Sequence, residues 1–171
     1  METVRDILRR LAAIDAERID LISSLSAMGF RSRGLVGEYG ELVAEALYGA
    51  SARRAAPSQP GYDLQVEGLG LVQVKTLRST PANPRASMGV LREPYEVLLA
   101  LRLGVGYEPT GAWLIPRRAV EAVYAPGKRT SLTATLLRQR GVEAISMSSL
   151  ENAARIVAQR HDKTRRPEGG A

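Results

Sequence analysis

The stretch that decides the fold is GYDLQVEGLGLVQVKT, from Gly61 to Thr76. It reads as two short strands, near 62–67 and 70–77, joined by a turn that contains glycine. The second strand is apolar except for Gln73 and Lys75. A charge in the middle of a buried strand is costly unless it is paired, so this lysine needs a physical reason.

The polar residues of the two strands are predicted to meet. Side chains alternate across a strand, so Gln73 and Lys75 point to one face and the neighbouring valines to the other. In the preceding strand, Asp63 lies on the face opposite to Leu64. If the apolar faces of both strands pack on the core, Asp63, Gln73 and Lys75 converge at one edge. Carboxylate and amide oxygens beside an ammonium suit Mg²⁺ and a phosphate.

The rarity of lysine adds weight to Lys75. Only three of the 24 basic residues are lysines, at positions 75, 128 and 163, and the other 21 are arginines. Arginine stays protonated, whereas lysine offers a compact ammonium whose pKa responds to its surroundings. Because the chain otherwise uses arginine almost throughout, the lysine at position 75 favours a role in which the pKa of the side chain matters.

A helix before these strands carries three acids. The segment GLVGEYGELVAEALYGA, residues 34–50, has apolar residues at helical spacing and ends in glycine. At about 100° per residue, Glu38, Glu41 and Glu45 lie within about 60° of each other on its surface. One of them is expected to reach the edge where the strand residues meet.

The other elements favour a mixed α/β fold rather than a regular alternation. Residues 2–28 have the apolar spacing of a helix or helix pair, and Gly29 ends the pattern. Two segments are predicted as loops from their Pro, Ser and Gly content, residues 51–61 and 78–93. The later part is predicted as strands at 95–104 and 111–116, helices at 117–125 and 131–140, a strand at 142–147 and a helix at 148–160.

Three motifs together carry a family resemblance: GEYGELVAEAL on the helix, PGYD at the first strand and VQVK in the second. This arrangement resembles the PD-(D/E)XK nuclease superfamily, including small uncharacterised bacterial members of it. The resemblance covers roughly residues 34–103. It implies an α/β fold with a restriction-endonuclease-like core, in which a mixed central sheet is flanked by helices. Around this core we expect an N-terminal helical extension (1–30), the nuclease-like domain (31–160) and a disordered basic tail (161–171).

The resemblance also implies an activity and a site. The expected protein is a Mg²⁺-dependent phosphodiesterase, with Mn²⁺ as a substitute, and most specifically a DNA endonuclease. Its metal ligands are Glu41, with Glu38 as the alternative helix acid, Asp63 and Gln73, and Lys75 assists the attacking water. Two departures from the motif are Gly61-Tyr62 between Pro60 and the aspartate, and a glutamine in place of the middle acid.

Each of these residues also has a plainer explanation. Lys75 is also the kind of residue that protects an edge strand from aggregation, and Asp63 the kind that caps a turn. The helix glutamates fit a solvated face, and Gln73 fits a structural hydrogen bond. Two other functions therefore stay open. One is a nuclease-fold module that binds DNA or a protein partner without cleaving, and the other is an interaction protein that recruits a larger complex through its N-terminal helices.

Composition limits the chemistry and indicates the partner. There is no cysteine and one histidine, His161, which excludes thiolate metal sites and makes a Ser-His-Asp triad improbable. Residues 117–171 carry 11 basic and 5 acidic residues and hold the whole net charge of +6. This favours a phosphate-rich partner. Five arginines are the expected nucleic-acid contacts: Arg78, Arg85, Arg92, Arg117 and Arg118.

Localisation and assembly complete the expectations. No apolar run approaches the ~20 residues of a membrane span, and no signal-peptide pattern begins the chain, so we expect a cytoplasmic protein without membrane contact. The apolar face of the N-terminal helix predicts a homodimer formed through this segment.

Overall fold

The computed structural model describes residues 3–27, 34–56, 60–81 and 87–162. The chain divides into two compact units, Met1–Leu35 and Val36–Ala171. The second unit is built on a mixed sheet with helices packed against it, so the α/β prediction with an N-terminal helix is confirmed at this level. No helix within the described ranges is long and apolar enough to cross a membrane.

Residues 3–27, the part of the first unit before the gap, form one helix, α1 (Val4–Ala27), where the sequence left open a helix or a helix pair. Its N-terminus is closed by a reciprocal pair of hydrogen bonds. The backbone N–H of Asp6 donates to Thr3 Oγ1 over 3.3 Å, and the backbone N–H of Thr3 donates to Asp6 Oδ2 over 3.1 Å. Both satisfy N–H groups that a helix start leaves without partners. Most of the side chains along α1 are exposed.

The second unit is organised by a six-stranded sheet in the order β1-β2-β3-β5-β6-β8. Only the pair β3–β5 is parallel, and all other neighbours are antiparallel. A separate two-stranded ribbon consists of β4 and β7. The strands are β1 (Ala52–Arg54), β2 (Leu64–Val66), β3 (Gly70–Arg78), β4 (Gly89–Val90), β5 (Val97–Leu103), β6 (Pro109–Pro116), β7 (Arg129–Thr130) and β8 (Glu143–Ala144).

Helices cover both faces of this sheet. They are α2 (Leu35–Tyr48), α3 (Arg117–Glu121), α4 (Ala134–Leu137) and α5 (Met147–Asp162). Val72 and Val74 of β3 share one hydrophobic cluster with α2 and α5. Leu77, which points the other way, shares a second cluster with Leu98, α3 and α4. The alternation read from the sequence is therefore correct, and each face of β3 has its own core.

Several boundaries differ from the sequence reading, among them those of the helices predicted at 117–125 and 131–140, which are shorter in the structure, and those of three strands. Strand β1 lies within residues 51–61, which we predicted as a loop, because its three residues have no apolar alternation and gain their structure by pairing with β2. Strand β4 likewise lies within the predicted loop 78–93. The strand predicted at 142–147 is only β8, since α5 already begins at Met147.

Helix α2 lies close to β3 at Gly40. A Cβ at this position would lie 2.9 Å from Thr76 Cβ and would overlap its Oγ1. Both residues lie inside the packed unit, and Thr76 is β-branched, so turning its side chain brings a methyl group into the same space. The glycine thus sets the distance between the helix that carries the acids and the strand that carries the lysine.

We predict that Gly40→Ala destabilises the protein by about 1–3 kcal/mol, the usual effect of overpacking a core. Gly37 in the same helix provides the matched control, because nothing lies within 4 Å of a Cβ added there. Gly37→Ala should raise stability by up to about 1 kcal/mol through helix propensity. Urea unfolding of both variants measures the difference. A Gly40→Ala protein as stable as the parent would contradict this account of the helix–strand distance.

Candidate functional site

Asp63 is held at the point where β2 stops pairing with β3. Strand β2 pairs with residues 70–72 only. Beyond them the backbone N–H of Val74 donates to Asp63 Oδ2 over 2.7 Å, and the Asp63 N–H donates to the carbonyl oxygen of Val72 over 2.9 Å. The side chain therefore takes the place of a main-chain acceptor, which fixes one carboxylate oxygen and leaves Oδ1 without a donor among the described residues.

The segment before Asp63 is fixed by Gly61. Its φ of +93° is a left-handed conformation that favours glycine. A Cβ there would overlap the backbone of Glu93 and Pro94. The Gly-Tyr insertion between Pro60 and the aspartate thus has a structural reason, because it lets this segment approach the backbone of the loop before β5.

Glu41 reaches the same region from α2. Its Oε2 accepts a hydrogen bond from Arg54 Nη2 of β1 at 2.6 Å, and both side chains are about three-quarters buried. Burial is the main influence on this carboxyl and raises the pKa of Glu41 above its ordinary value. Arg54 opposes the rise, whereas the negative charges of Asp63 and Glu38 add to it.

Asp63 experiences the same combination of burial and nearby positive charge. Burial raises its pKa, while the hydrogen bond from Val74 and the positive charges of Lys75 and Arg54 act in the opposite direction. Arg54 and Lys75 are therefore close enough to act on the Asp63 carboxyl, and Asp63 and Arg54 are close enough to act on that of Glu41. The structure therefore brings together two predicted acids and the predicted lysine.

Lys75 and the Oε1 atom of Gln73 have no polar partners within the described part of the chain. Lys75 is half-buried and makes neither an ion pair nor a hydrogen bond with any described residue. Gln73 is only 5% exposed, and no described residue donates a hydrogen bond to its Oε1. An unpaired buried amide oxygen costs about 1–3 kcal/mol. A structural hydrogen bond therefore does not account for the burial of the Gln73 Oε1 atom.

Glu38 is more deeply buried than Glu41. It is 6% exposed, and neither of its carboxylate oxygens has a hydrogen-bond partner among the described residues. A solvated helix face is therefore wrong for this glutamate. Its negative charge contributes to the raised pKa of Glu41, which lies about one turn further along α2. The alternative helix acid of the sequence prediction thus lies beside the preferred one and forms no ion pair with the residues that the structure describes.

Arg54 is the member of the site that sequence reasoning missed. It lies in β1, inside the segment read as a loop, and nothing in SARRAAPSQPG distinguishes Arg54 from Arg53. Only the pairing of β1 with β2 orients it towards the acids. Period-two alternation is too short to read over three residues, so no local signal could have identified it.

The oxygen donors of this site are of the kind that binds a divalent cation, but the site has too few acids placed together to form a typical metal site. Within the described ranges, no group of three or more His, Cys, Asp or Glu side chains is placed so that it could hold a metal ion. Glu41 and Asp63 offer hard oxygen donors, the charge of Asp63 acts on Glu41, and the unpaired oxygens of Gln73 and Glu38 are of the same chemical type. Glu41 is at present paired with Arg54 rather than free to coordinate.

The five arginines expected to bind nucleic acid differ in their surroundings. The guanidinium of Arg78 donates to the carbonyl oxygen of Val105 and lies 4.1 Å from the centre of the Tyr107 ring. Arg117 forms ion pairs with Glu93 and Glu121. Both side chains are thus occupied by protein contacts.

Two of the remaining arginines are open to solvent. Arg92 and Arg118 are exposed and form no ion pair with any residue that the structure describes. Arg85 lies outside the described residues, as do Met28, Gly29 and residues 163–171 of the expected tail. Helix α5 includes residues 161 and 162, the first two of that segment. Arg92 and Arg118 are therefore the better candidates for phosphate contacts.

Comparison with known proteins does not assign a function to this site. No model of a known protein family matches the chain, and no curated protein sequence matches it either. The chemistry of the site must be inferred from its own residues.

The raised pKa of Asp63 predicts how stability depends on pH. A carboxyl whose folded-state pKa is raised binds its proton more tightly when folded, so ionising it reduces stability. As the pH rises from about the ordinary value of 3.8 through the folded pKa, Asp63→Asn should gain stability relative to the parent. Asparagine keeps an acceptor for the Val74 N–H. Unfolding at several pH values between 4 and 7, in the presence of EDTA, measures this gain.

The control for this experiment is Glu67→Gln, which removes a carboxylate from the exposed turn between β2 and β3. Its stability relative to the parent should not follow the same trend. If the Asp63→Asn difference stays constant across the range, burial is not the main influence on this carboxyl.

Proposed function

We propose that this chain is a metal-dependent nuclease of the PD-(D/E)XK type, which hydrolyses phosphodiester bonds and most specifically acts as a DNA endonuclease. The observation that carries this proposal is the meeting of two desolvated carboxylates, Glu41 and Asp63, with the positive charges of Arg54 and Lys75. The unpaired amide oxygen of Gln73 belongs to the same strand as Lys75. Apart from the hydrogen bond of Asp63 with the Val74 N–H and the ion pair of Glu41 with Arg54, no contact among the described residues accounts for burying these groups. Perturbed carboxyl groups next to a specific cation are typical of functional sites.

The order of elements supports a restriction-endonuclease-like core. A helix with the acids precedes an antiparallel pair, β2 and β3, and β3 is then joined by the parallel strand β5. The acids, the amide and the lysine come from α2, the start of β2 and β3, as the motif requires. A nucleic-acid substrate and a cysteine-free composition fit a cytoplasmic protein.

Glu41, Asp63 and Gln73 are the proposed ligands of Mg²⁺ or Mn²⁺, with Glu38 as the neighbouring acid. The bound cation would polarise the phosphoryl oxygen and lower the pKa of a water molecule. Asp63 is suited to coordinate through Oδ1, because its Oδ2 is already fixed by Val74. Gln73 contributes a neutral carbonyl oxygen, which makes cation affinity depend on the acids.

Lys75 and Arg54 supply positive charge to the same place. The positive charge of Lys75 acts on Asp63, but Lys75 forms no ion pair with any described residue. Its ammonium is therefore free to orient a water molecule or to balance charge on the phosphate. Arg54 is held by Glu41. If Glu41 held a cation, the guanidinium would lose this partner and could form a charge-assisted hydrogen bond to a phosphate.

The test of cleavage uses supercoiled plasmid and single-stranded DNA with Mg²⁺, Mn²⁺ or EDTA. The parent protein should nick plasmid only with metal, and Asp63→Asn and Lys75→Ala should each reduce the rate by about 10²-fold or more. The exposed Lys128 provides the matched control, and Lys128→Ala should retain activity. Cleavage that persists in EDTA, or in both site variants, would contradict the proposal.

Metal binding can be measured without activity. We predict that Gln73→Glu binds Mn²⁺ or Ca²⁺ more tightly than the parent, because it adds a carboxylate to the proposed ligands. The thermal unfolding temperature should rise with added cation in the parent, rise more in Gln73→Glu and stay constant in Asp63→Asn. If no protein responds to any of these cations, the ligand assignment fails even if DNA cleavage is observed.

A second candidate is the same fold binding DNA without cleaving it. It is favoured by one observation, the absence of three suitably placed metal-binding side chains among the described residues. This function predicts DNA binding in a gel-shift experiment that weakens with salt but does not respond to Mg²⁺ or to Lys75→Ala. The cleavage and gel-shift experiments on the same samples therefore distinguish the two functions.

A further inference from the structure

Helix α1 contains an apolar repeat that the proposed nuclease site does not use. Position a of a seven-residue repeat is occupied by Val4, Leu11, Arg18 and Leu25, and position d by Ile7, Ile14 and Leu21. With 24 residues, the helix holds more than three such repeats. An apolar spacing of 3.5 residues over three or more repeats is typical of a coiled coil, because it keeps one seam on the same side of a supercoiled helix.

Much of this seam, by which we mean the side chains at the a and d positions of α1, is open to solvent. Four of its residues, Val4, Ile7, Leu11 and Ile14, are between 46% and 74% exposed, and Leu21 is 59% exposed. Apolar side chains scattered on a surface need no explanation, but a row along a helix of about 36 Å, interrupted at a and d positions only by Arg18, does. A row of this kind indicates a surface that another apolar surface covers.

We propose that α1 forms a parallel two-stranded coiled coil with α1 of a second copy of this chain. A seam with a 3.5-residue period is matched by a partner helix with the same period, and a second copy has this period by identity. The proposal depends on α1 alone, so it is independent of the nuclease function.

Charges next to the seam favour the parallel orientation. In a parallel pair, position g of one helix faces the following position e of its partner, which sets Arg10 opposite Asp15. Glu17, at position g, comes beside the Arg18 of the partner. In the antiparallel register with the greatest overlap, by contrast, Asp15 faces Asp15 and Glu17 faces Glu17. Like charges at such positions repel each other.

Arg18 also limits the number of helices. It is the one charged residue at an a or d position of α1 between residues 4 and 25. Its guanidinium lies near Asp15 of the same helix, at 3.5 Å, and both side chains are about two-thirds exposed. In a two-stranded coiled coil an a-position side chain of this length can extend to the solvent, whereas in a four-stranded one it would be enclosed with three others.

The oligomeric state tests the proposal directly. Sedimentation of the full chain at micromolar concentration should give twice the 18.5 kDa of one chain. Leu11→Glu places a charge in the seam and should shift the protein to the monomer. Ala16→Glu places the same charge on the opposite side of the helix, at position f, and should remain a dimer. A monomeric or tetrameric parent protein overturns the proposal, as does a dimeric Leu11→Glu.

The orientation is tested by cross-linking, which the absence of native cysteine makes simple. In a parallel pair the two copies of Ile7 are opposite each other, so Ile7→Cys should form a disulfide-linked dimer on oxidation. Ala16→Cys is the outward-facing control and should not. A dimer in which Ile7→Cys fails to cross-link, while mixed Ile7→Cys and Leu25→Cys chains do, would overturn the parallel orientation. Unfolding of each variant, followed by circular dichroism, checks that the second unit remains folded.

Discussion

The hydrogen bond from the Val74 N–H to the Asp63 carboxylate is the contact on which the proposed site depends. Strand β2 ends its pairing with β3 at Val72. The next free N–H of β3 is taken by a side chain rather than by main chain. This one hydrogen bond therefore satisfies the backbone N–H of Val74 where β2 stops pairing with β3, and it also fixes the position of the Asp63 carboxylate. From this position Asp63 is influenced by Arg54 of β1 and by Lys75 of β3, and it influences Glu41 on α2.

The site combines groups that a stable core would avoid. Burial raises the pKa of both Glu41 and Asp63, and the deeper Glu38 has no hydrogen-bond partner among the described residues. Arg54 and Lys75 offset part of this cost. Sequences normally satisfy their buried polar groups, and the exceptions concentrate where binding or chemistry requires them. Close packing at Gly40 and Thr76 holds the helix near the strand despite the unfavourable acids.

The sequence predicted the centre of the fold better than its edges. The alternation of Val72 and Val74 with Gln73 and Lys75 is strong enough to define β3 and both of its faces. Strand β1 has no such pattern, because three residues gain a conformation only from their partner strand. Arg54 was missed for the same reason. The choice between Glu38 and Glu41 could not be made from helical angles, since both lie on one side of α2 and only the packing shows which is deeper.

The glutamine at position 73 can be understood from the charges around it. Counted as ionised, Glu38, Glu41 and Asp63 carry three negative charges, while Arg54 and Lys75 carry two positive ones. In the proposed nuclease, a divalent cation would bring the sum to +1, which would attract the single negative charge of a phosphodiester. A glutamate in place of Gln73 would lower the sum to zero and remove this attraction, in a site of low dielectric where charge balance matters most. A neutral oxygen donor would thus give up some cation affinity and keep the attraction for the phosphate.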